Sequence, residues 1–390
     1  MSARDVVILG AGPTGCALGA YLARGGARVT LVERDAEAQP AVGESLIPET
    51  ALVLEELGFD VSGFAVKRGA VFCEAGAAAR FDFSEAESPR YTHAWQVPRE
   101  VFDARWRELA RREGCELVHA EARDVDLGAR TLRTSAGDLA AGLLVDAGGR
   151  SMWLSRKLGL REGDARLRNL AVGTRMRGVR AVAPDEPGDV TLCSVPQGWI
   201  WIVPFGGGVA SVGAVMRPHA APAGDAATRL AAMIASSPDA RARLDGAERI
   251  APLRGLQDFT ASSTRFYGDG FALCGDAACF IDPIFSSGLL LGLRGARGLA
   301  AALLSGDLAG WEAEYRAASA VFRRAIDAWY DGDFMTLALL PRARQKGYVR
   351  RSVVSLLAGD IYDPSRRSAR DMADRMGDLA AAVRERVARA

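Results

Sequence analysis

Residues 5–15 read DVVILGAGPTG: the apolar run Val6–Leu9 opens into a turn built on Gly10, Gly12 and Gly15. An alanine- and leucine-rich stretch follows to about Ala23, and then RVTLVE, Arg28–Glu33. Strand, glycine turn, helix, strand and terminal acid in that order form the dinucleotide fingerprint in its full context. The glycines let the backbone approach a pyrophosphate, the helix N-terminus faces the phosphates, and Glu33 is placed for a ribose diol. This reading sets the fold class as α/β with a Rossmann-type nucleotide-binding domain.

The rest of the chain is consistent with a large globular protein. Its 390 residues are 49% hydrophobic and 25% charged, and the net charge of +1 gives no general attraction to nucleic acid or a membrane surface. Six cysteines (16, 73, 115, 193, 274 and 279) include no CxxC pair, and His93, His119 and His219 are isolated. They read as reduced thiols in a cytoplasmic protein without a metal site. No uninterrupted apolar run of membrane-spanning length is expected. Forty-nine basic residues include only three lysines, Lys67, Lys157 and Lys346, so a lysine marks a position where arginine need not serve.

Further along, GESLIP (Gly43–Pro48) leads into an amphipathic helix near 49–57, and residues 64–72, which contain Lys67, have strand character. Residues 97–113 read as a turn and helix with Arg99 at its mouth. Strands are expected at 116–120, 123–127 and 143–145. From about 165 to 255 the chain turns β-rich, with loops at 180–188 and 217–226 and few long helical patterns. There Gly198–Pro204 (GWIWIVP) alternates, placing Trp199, Trp201 and Val203 on one face of a strand. GDAACFIDPIFSSGLLLG (Gly275–Gly292) brings Asp276, an Asp-Pro turn and a Ser-Ser-Gly helix start whose free amides suit an anion, with a serine as the natural cap. The remainder reads as helices at 289–304, 311–329, 341–357 and 371–387. The expected organisation is a core over 1–330 and a helical segment over 331–390. Within the core, nucleotide-binding parts fall near 1–60, 98–165 and 260–310, and β-rich parts near 61–97 and 166–259.

GAGPTG with Glu33, the Arg99–Asp103 helix start and Gly275-Asp276 resemble the FAD-binding pattern of the para-hydroxybenzoate-hydroxylase-like flavoproteins. Within that superfamily the chain resembles the flavin-dependent halogenases. Gly198–Pro204 is similar to their WxWxIP box, with Val203 for isoleucine. GESLIP and DPIFSSG (Asp282–Gly288) are similar to the branch that halogenates pyrroles and phenols, and the C-terminal LLAGDIYDP (356–364) to the pyrrolyl members that act on carrier-bound substrates.

The resemblance implies an enzyme that uses reduced FAD, O2 and chloride or bromide to make hypohalous acid. Lys67 would be catalytic, with Trp199 and Trp201 as the partition between a flavin pocket and a separate, tunnel-connected substrate pocket. FAD contacts would come from Gly10, Gly12, Gly15, Glu33, Arg34, Glu44, Ser45, Arg99, Asp276, Pro283 and Gly288, and the halide site from Ser287 and Gly288. Phe285 stands where the tryptophan-acting branch has a glutamate, which argues against free tryptophan. The implied partners are a separate flavin reductase and an acyl or peptidyl carrier protein. Five basic residues between 336 and 359 (Arg342, Arg344, Lys346, Arg350 and Arg351) are a candidate docking surface for that carrier.

Chemistry supports the lysine: its neutral amine has a lone pair and its ammonium donates, whereas arginine is locked as a cation. Two alternatives stay open at this level. One is an NAD(P)H-dependent aromatic monooxygenase on the same fold, which leaves Lys67 and the tryptophan box unexplained. The other is a flavin-binding partner protein without catalysis.

Overall fold

The computed structural model describes residues 5–181, 188–257, 260–341 and 347–389. Two sheets organise them. The first has six strands in the order Tyr267–Gly268, Phe271–Leu273, Leu143–Asp146, Asp5–Leu9, Arg28–Glu33, Glu116–His119, parallel except for the first. Its central strand Asp5–Leu9 is buried from Val6 onward, as expected of a parallel strand covered on both faces. Helix Pro13–Arg24 packs against helices Arg99–Arg112 and Ser287–Ser305. Gly15 makes the tight turn possible: a Cβ there would lie 2.0 Å from the Gly10 carbonyl oxygen. Gly10 has φ +93°, and a Cβ on it would lie 2.6 Å from the Ala147 oxygen.

The second sheet has eight strands, drawn from 69–82 and 170–257. Strand Gly198–Gly206 lies inside it, antiparallel to Val190–Val195 and Val209–Met216, and Val190–Val195 pairs in parallel with Gly69–Glu74. The alternation read from the sequence holds. Trp199, Trp201 and Val203 enter the main core, while Ile200 and Ile202 face two smaller clusters on the other side.

Trp201 has room because its cross-strand neighbours lack side chains. It pairs with Gly213, which pairs with Gly173, and a Cβ would lie 2.2 Å from the indole at Gly213 and 2.6 Å at Gly173. A Cβ on Gly213 would also meet the Val172 carbonyl oxygen at 2.5 Å, so the backbone cannot yield. Gly213→Ala is expected to displace the indole and destabilise the fold by about 1–3 kcal/mol. Thermal unfolding of the variant, with tryptophan fluorescence, checks this; an unchanged midpoint contradicts it.

Several expectations need correction. The region 165–255 carries two helices, Ala226–Ser236 and Pro238–Leu244. They are started by side-chain caps, Asp225 accepting from the Thr228 amide and Ser237 from the Ala240 amide, which the Pro/Gly texture of the region obscured. Residues 64–72 are not one strand: Ala65–Lys67 pairs with Ala94–Gln96, and Gly69–Glu74 joins the large sheet. Helix Ser287–Ser305 has the length and hydropathy of a membrane span, but Arg294 and Arg297 interrupt its apolar run and it packs on helices Pro13–Arg24 and Leu308–Tyr330. Arg342, Arg344, Lys346 and most of the 180–188 loop lie outside the described residues. Arg350 is no free surface charge: it pairs with Glu85 and donates to the Arg80 carbonyl at 2.6 Å. The docking surface proposed for 336–359 therefore loses one of its charges.

Candidate active site

A cavity of about 380 Å³ runs from the glycine turn to the tryptophan strand and the start of helix Ser287–Ser305. At one end Gly12 presents open space, with no atom within 4 Å of a Cβ built on it. Helix Pro13–Arg24 begins there with no side-chain cap and no acid in its first turn, so its free amides face the cavity. Glu33 is fixed at the strand end: Oε2 accepts from the Ala11 amide at 2.9 Å and Oε1 from the Asp35 amide at 3.0 Å.

Arg34, Arg99 and Arg150 also line the cavity. Arg99 is oriented by Asp103 through bonds of 2.8 and 2.9 Å. Burial holds the Asp276 carboxyl above the usual carboxylate range, and the charges of Arg150 and Arg99 offset part of that shift. A cavity with an open glycine turn, the guanidiniums of Arg34, Arg99, Arg107 and Arg150, and an acid at the ribose position fits a flavin dinucleotide.

At the other end stand Trp199, Trp201, Pro283, Ser286 and Gly288. The two indoles are 5.9 Å apart and tilted by 55°. Trp201 Nε1 donates to Ser211 Oγ at 3.1 Å, and Trp199 Nε1 to the Tyr330 hydroxyl at 3.1 Å. That hydroxyl also accepts from Asn169 Nδ2 at 2.7 Å and donates to Asp282 Oδ2 at 2.8 Å. Asp282 in turn accepts from the Ile284 amide at 3.1 Å, which ties the tryptophan strand to the turn that starts the helix. Burial pushes its carboxyl up to about 6, with the Tyr330 bond opposing.

The helix start leaves its amides free, and the ordinary serine-capped alternative does not hold. Ser286 sits at φ +57° and no side chain caps the helix, so its first amides are left free. Ser286 and Gly288 line the cavity, while the Ser287 side chain is buried outside it.

Lys67 is 2% exposed. Its Nζ donates to Ser45 Oγ and to the Leu46 carbonyl, both at 2.9 Å, and lies 5.5 Å from the Phe83 ring centroid. Burial lowers its pKa to about 7, with the Asp189 charge acting in the opposite direction. Asp189 also accepts from the Arg68 and Gly69 amides at 3.0 and 2.7 Å, shaping the bend behind Lys67. The Lys67 side chain is enclosed by the protein. Its neighbours are Ser45, Leu46 and Phe83, and Ser45 itself lines the cavity. One hydroxyl thus stands between Lys67 and the cavity.

Two other expected cofactor residues have partners or neighbours within the chain. Gly15 is absent from the cavity wall and serves the turn. Glu44 lines the cavity, but Oε1 accepts from Arg175 at 2.7 Å, and Arg175 also pairs with Glu100. Sequence reasoning assigned no role to Arg150, Arg175, Asn169, Ser211 or Tyr330; none of them lies in a local motif that marks it.

The profile of the family described as tryptophan halogenase matches residues 5–89 and 72–333. The chain belongs to that family. It is a flavin-dependent halogenase, an oxidoreductase that uses FAD, a halide and O2. Among curated relatives it is similar to the 1H-pyrrole-2-carbonyl-[peptidyl-carrier protein] chlorinase of Pseudomonas fluorescens, 27% identical over 97% of this chain and 93% of that one. It is also similar to the corresponding brominase of Pseudoalteromonas luteoviolacea, 30% identical over 74% of each. Among solved structures, a flavoprotein/dehydrogenase from Cytophaga hutchinsonii superimposes with a TM-score of 0.90, at 28% identity over 98% of this chain and 99% of that one. The myxobacterial chondrochloren halogenase superimposes with a TM-score of 0.78, at 27% identity over 93% and 91%. Among these comparisons nothing supports the hydroxylase alternative for this halogenase.

Proposed function

We propose that this halogenase acts on an electron-rich arene, a pyrrole or phenol, held as a thioester on a carrier protein, and receives reduced flavin from a separate reductase. The observation that carries the reading is Lys67, a buried amine one hydroxyl from the cavity wall, with a pKa of about 7. The names of two relatives support the tethered pyrrole. Phe285 packs against Trp329 and Phe334 with centroids 6.2 and 5.1 Å apart, an apolar side chain at the position where a carboxylate would meet an amino acid's ammonium.

In this reading the glycine turn, Glu33, Arg34, Arg99, Arg150 and Asp276 hold FAD. Reduced FAD, with O2 and halide, supplies hypohalous acid. The uncapped amides of Ser287 and Gly288 bind the halide, helped by the helix dipole and by the absence of an acid in the first turn. Trp199 and Trp201 fill the space beside the ring and keep the arene away from it. Lys67 Nζ, half-ionised near neutral pH, holds a proton toward the oxidant's oxygen or offers its lone pair to the halogen. Ser45 Oγ is placed to exchange that proton with the cavity.

The test supplies chemically reduced FAD, O2 and chloride or bromide with pyrrole-2-carboxylate, either free or as a carrier thioester, and reads products by mass spectrometry. Exchange of hydrogen for halogen on the thioester is expected. Halogenation confined to the free acid would overturn the tethered reading.

A further inference from the structure

A second cleft, also of about 380 Å³, opens beside the tryptophan strand. Its rim carries Arg166, Arg168 and Arg217 with His219, and its acids are Asp327 and Asp331. Asp327 is engaged by Arg323 at 3.0 Å, and Arg217 donates to the Tyr330 carbonyl at 2.6 Å while lying over the Tyr330 ring. Arg166 and Arg168 are exposed, and among the described residues their guanidiniums pair with no carboxylate. Two uncommitted cations face the single uncommitted carboxylate of Asp331, so the mouth favours an anion.

The floor of the cleft is polar and ordered. Asn169 is 2% exposed and donates to the Tyr330 hydroxyl, and the same hydroxyl accepts from Trp199. Trp199 lines the flavin cavity. The cleft is therefore a cationic mouth whose floor is one tyrosine away from the partition.

We propose that this cleft receives the phosphopantetheine arm of the carrier, Arg166 and Arg168 binding its phosphodiester while an amide N–H of the arm meets Asn169 Oδ1 on the floor. The proposal rests on the carrier-tethered reading above. A phosphodiester bears one charge, which two arginines can chelate through paired N–H donors. An amide-bearing arm suits a floor where Asn169 gives its amide protons to Tyr330 and Asp282 and keeps Oδ1 as an acceptor. The surface is distinct from the 336–359 stretch.

The probe is 4′-phosphopantetheine, titrated into the FAD-loaded enzyme with tryptophan fluorescence as readout, and compared with pantetheine and with inorganic phosphate. Binding of phosphopantetheine is expected to be at least about tenfold tighter than that of either fragment, and about tenfold weaker in the Arg166→Glu/Arg168→Glu variant. Equal binding of phosphopantetheine by the wild type and the variant overturns the proposal, as does competition by inorganic phosphate at the same concentration. A single-charge variant, Arg168→Gln, covers the case in which the double reversal fails to fold, and should weaken binding by a smaller factor. Because the readout is binding, a preference for free arenes in turnover would sink the tethered reading without deciding this one.

Discussion

Lys67→Ala is expected to lose halogenated product by roughly 10²–10⁴-fold, the range that a positioned proton-handling group contributes, while the enzyme still binds FAD and still releases peroxide. The separation follows from geometry. FAD is proposed to be held by the glycine turn, Glu33 and the arginines, none of which hydrogen-bonds to Lys67. Among the described residues the amine hydrogen-bonds to Ser45 and Leu46 alone. Lys67→Arg should not restore activity, because a guanidinium stays protonated throughout the accessible pH range. Flavin absorbance, peroxide and product are measured on the same samples. Product at near wild-type rates in the alanine variant would remove Lys67 from the mechanism; loss of FAD along with product would make its role structural.

The sequence showed the nucleotide half of the site because that half is local. Gly10, Gly12, Gly15 and Glu33 lie within 24 residues; at Gly10 and Gly15 a side chain would clash with the backbone, Gly12 leaves open space, and Glu33 ends the strand with its carboxylate. The alternation of Trp199, Trp201 and Val203 was legible for the same reason, since a strand's period is two wherever it lies. What surrounds Lys67 was not legible. Its hydroxyl partner is 22 residues away, and the carboxylate shaping its bend lies at 189, beside Gly188, whose added Cβ would clash with the Val66 oxygen at 1.8 Å. Tyr330 was hidden more deeply. It reads as the end of an amphipathic helix, yet its hydroxyl joins Asn169, Trp199 and Asp282, three segments with no shared pattern. At Ser286 the sequence left two readings open, a serine cap and a helix start with free amides. The residue has the composition of a cap, but adopts the left-handed conformation and leaves the amides free.

Lys67→Met is expected to stabilise the apoprotein, by an amount that depends on pH in a defined way. In the folded chain burial lowers the lysine from 10.5 to about 7. Below pH 7 the amine is charged in both states, and the folded protein carries the full cost of enclosing that charge, about 5 kcal/mol at 1.36 kcal/mol per pKa unit. Between pH 7 and 10.5 the unfolded chain holds a proton that the folded one has released, so raising the pH favours folding by about 1.4 kcal/mol per unit. Methionine fills similar volume without charge and removes this slope, though it leaves the Leu46 carbonyl unpaired at a cost of about 1–3 kcal/mol. The advantage of the variant should therefore be greatest at pH 6–7 and shrink by about 3 kcal/mol by pH 9. Asp146 and Asp282, both raised to about 6 by burial, titrate below this window and are common to both proteins, so they cancel in the difference. Urea unfolding at pH 6, 7, 8 and 9 measures it, and a difference that stays flat with pH would mean the amine is not titrating where its burial places it. A buried amine at one of only three lysine positions is best explained by its chemistry, because packing alone would be served by methionine without a charge to enclose.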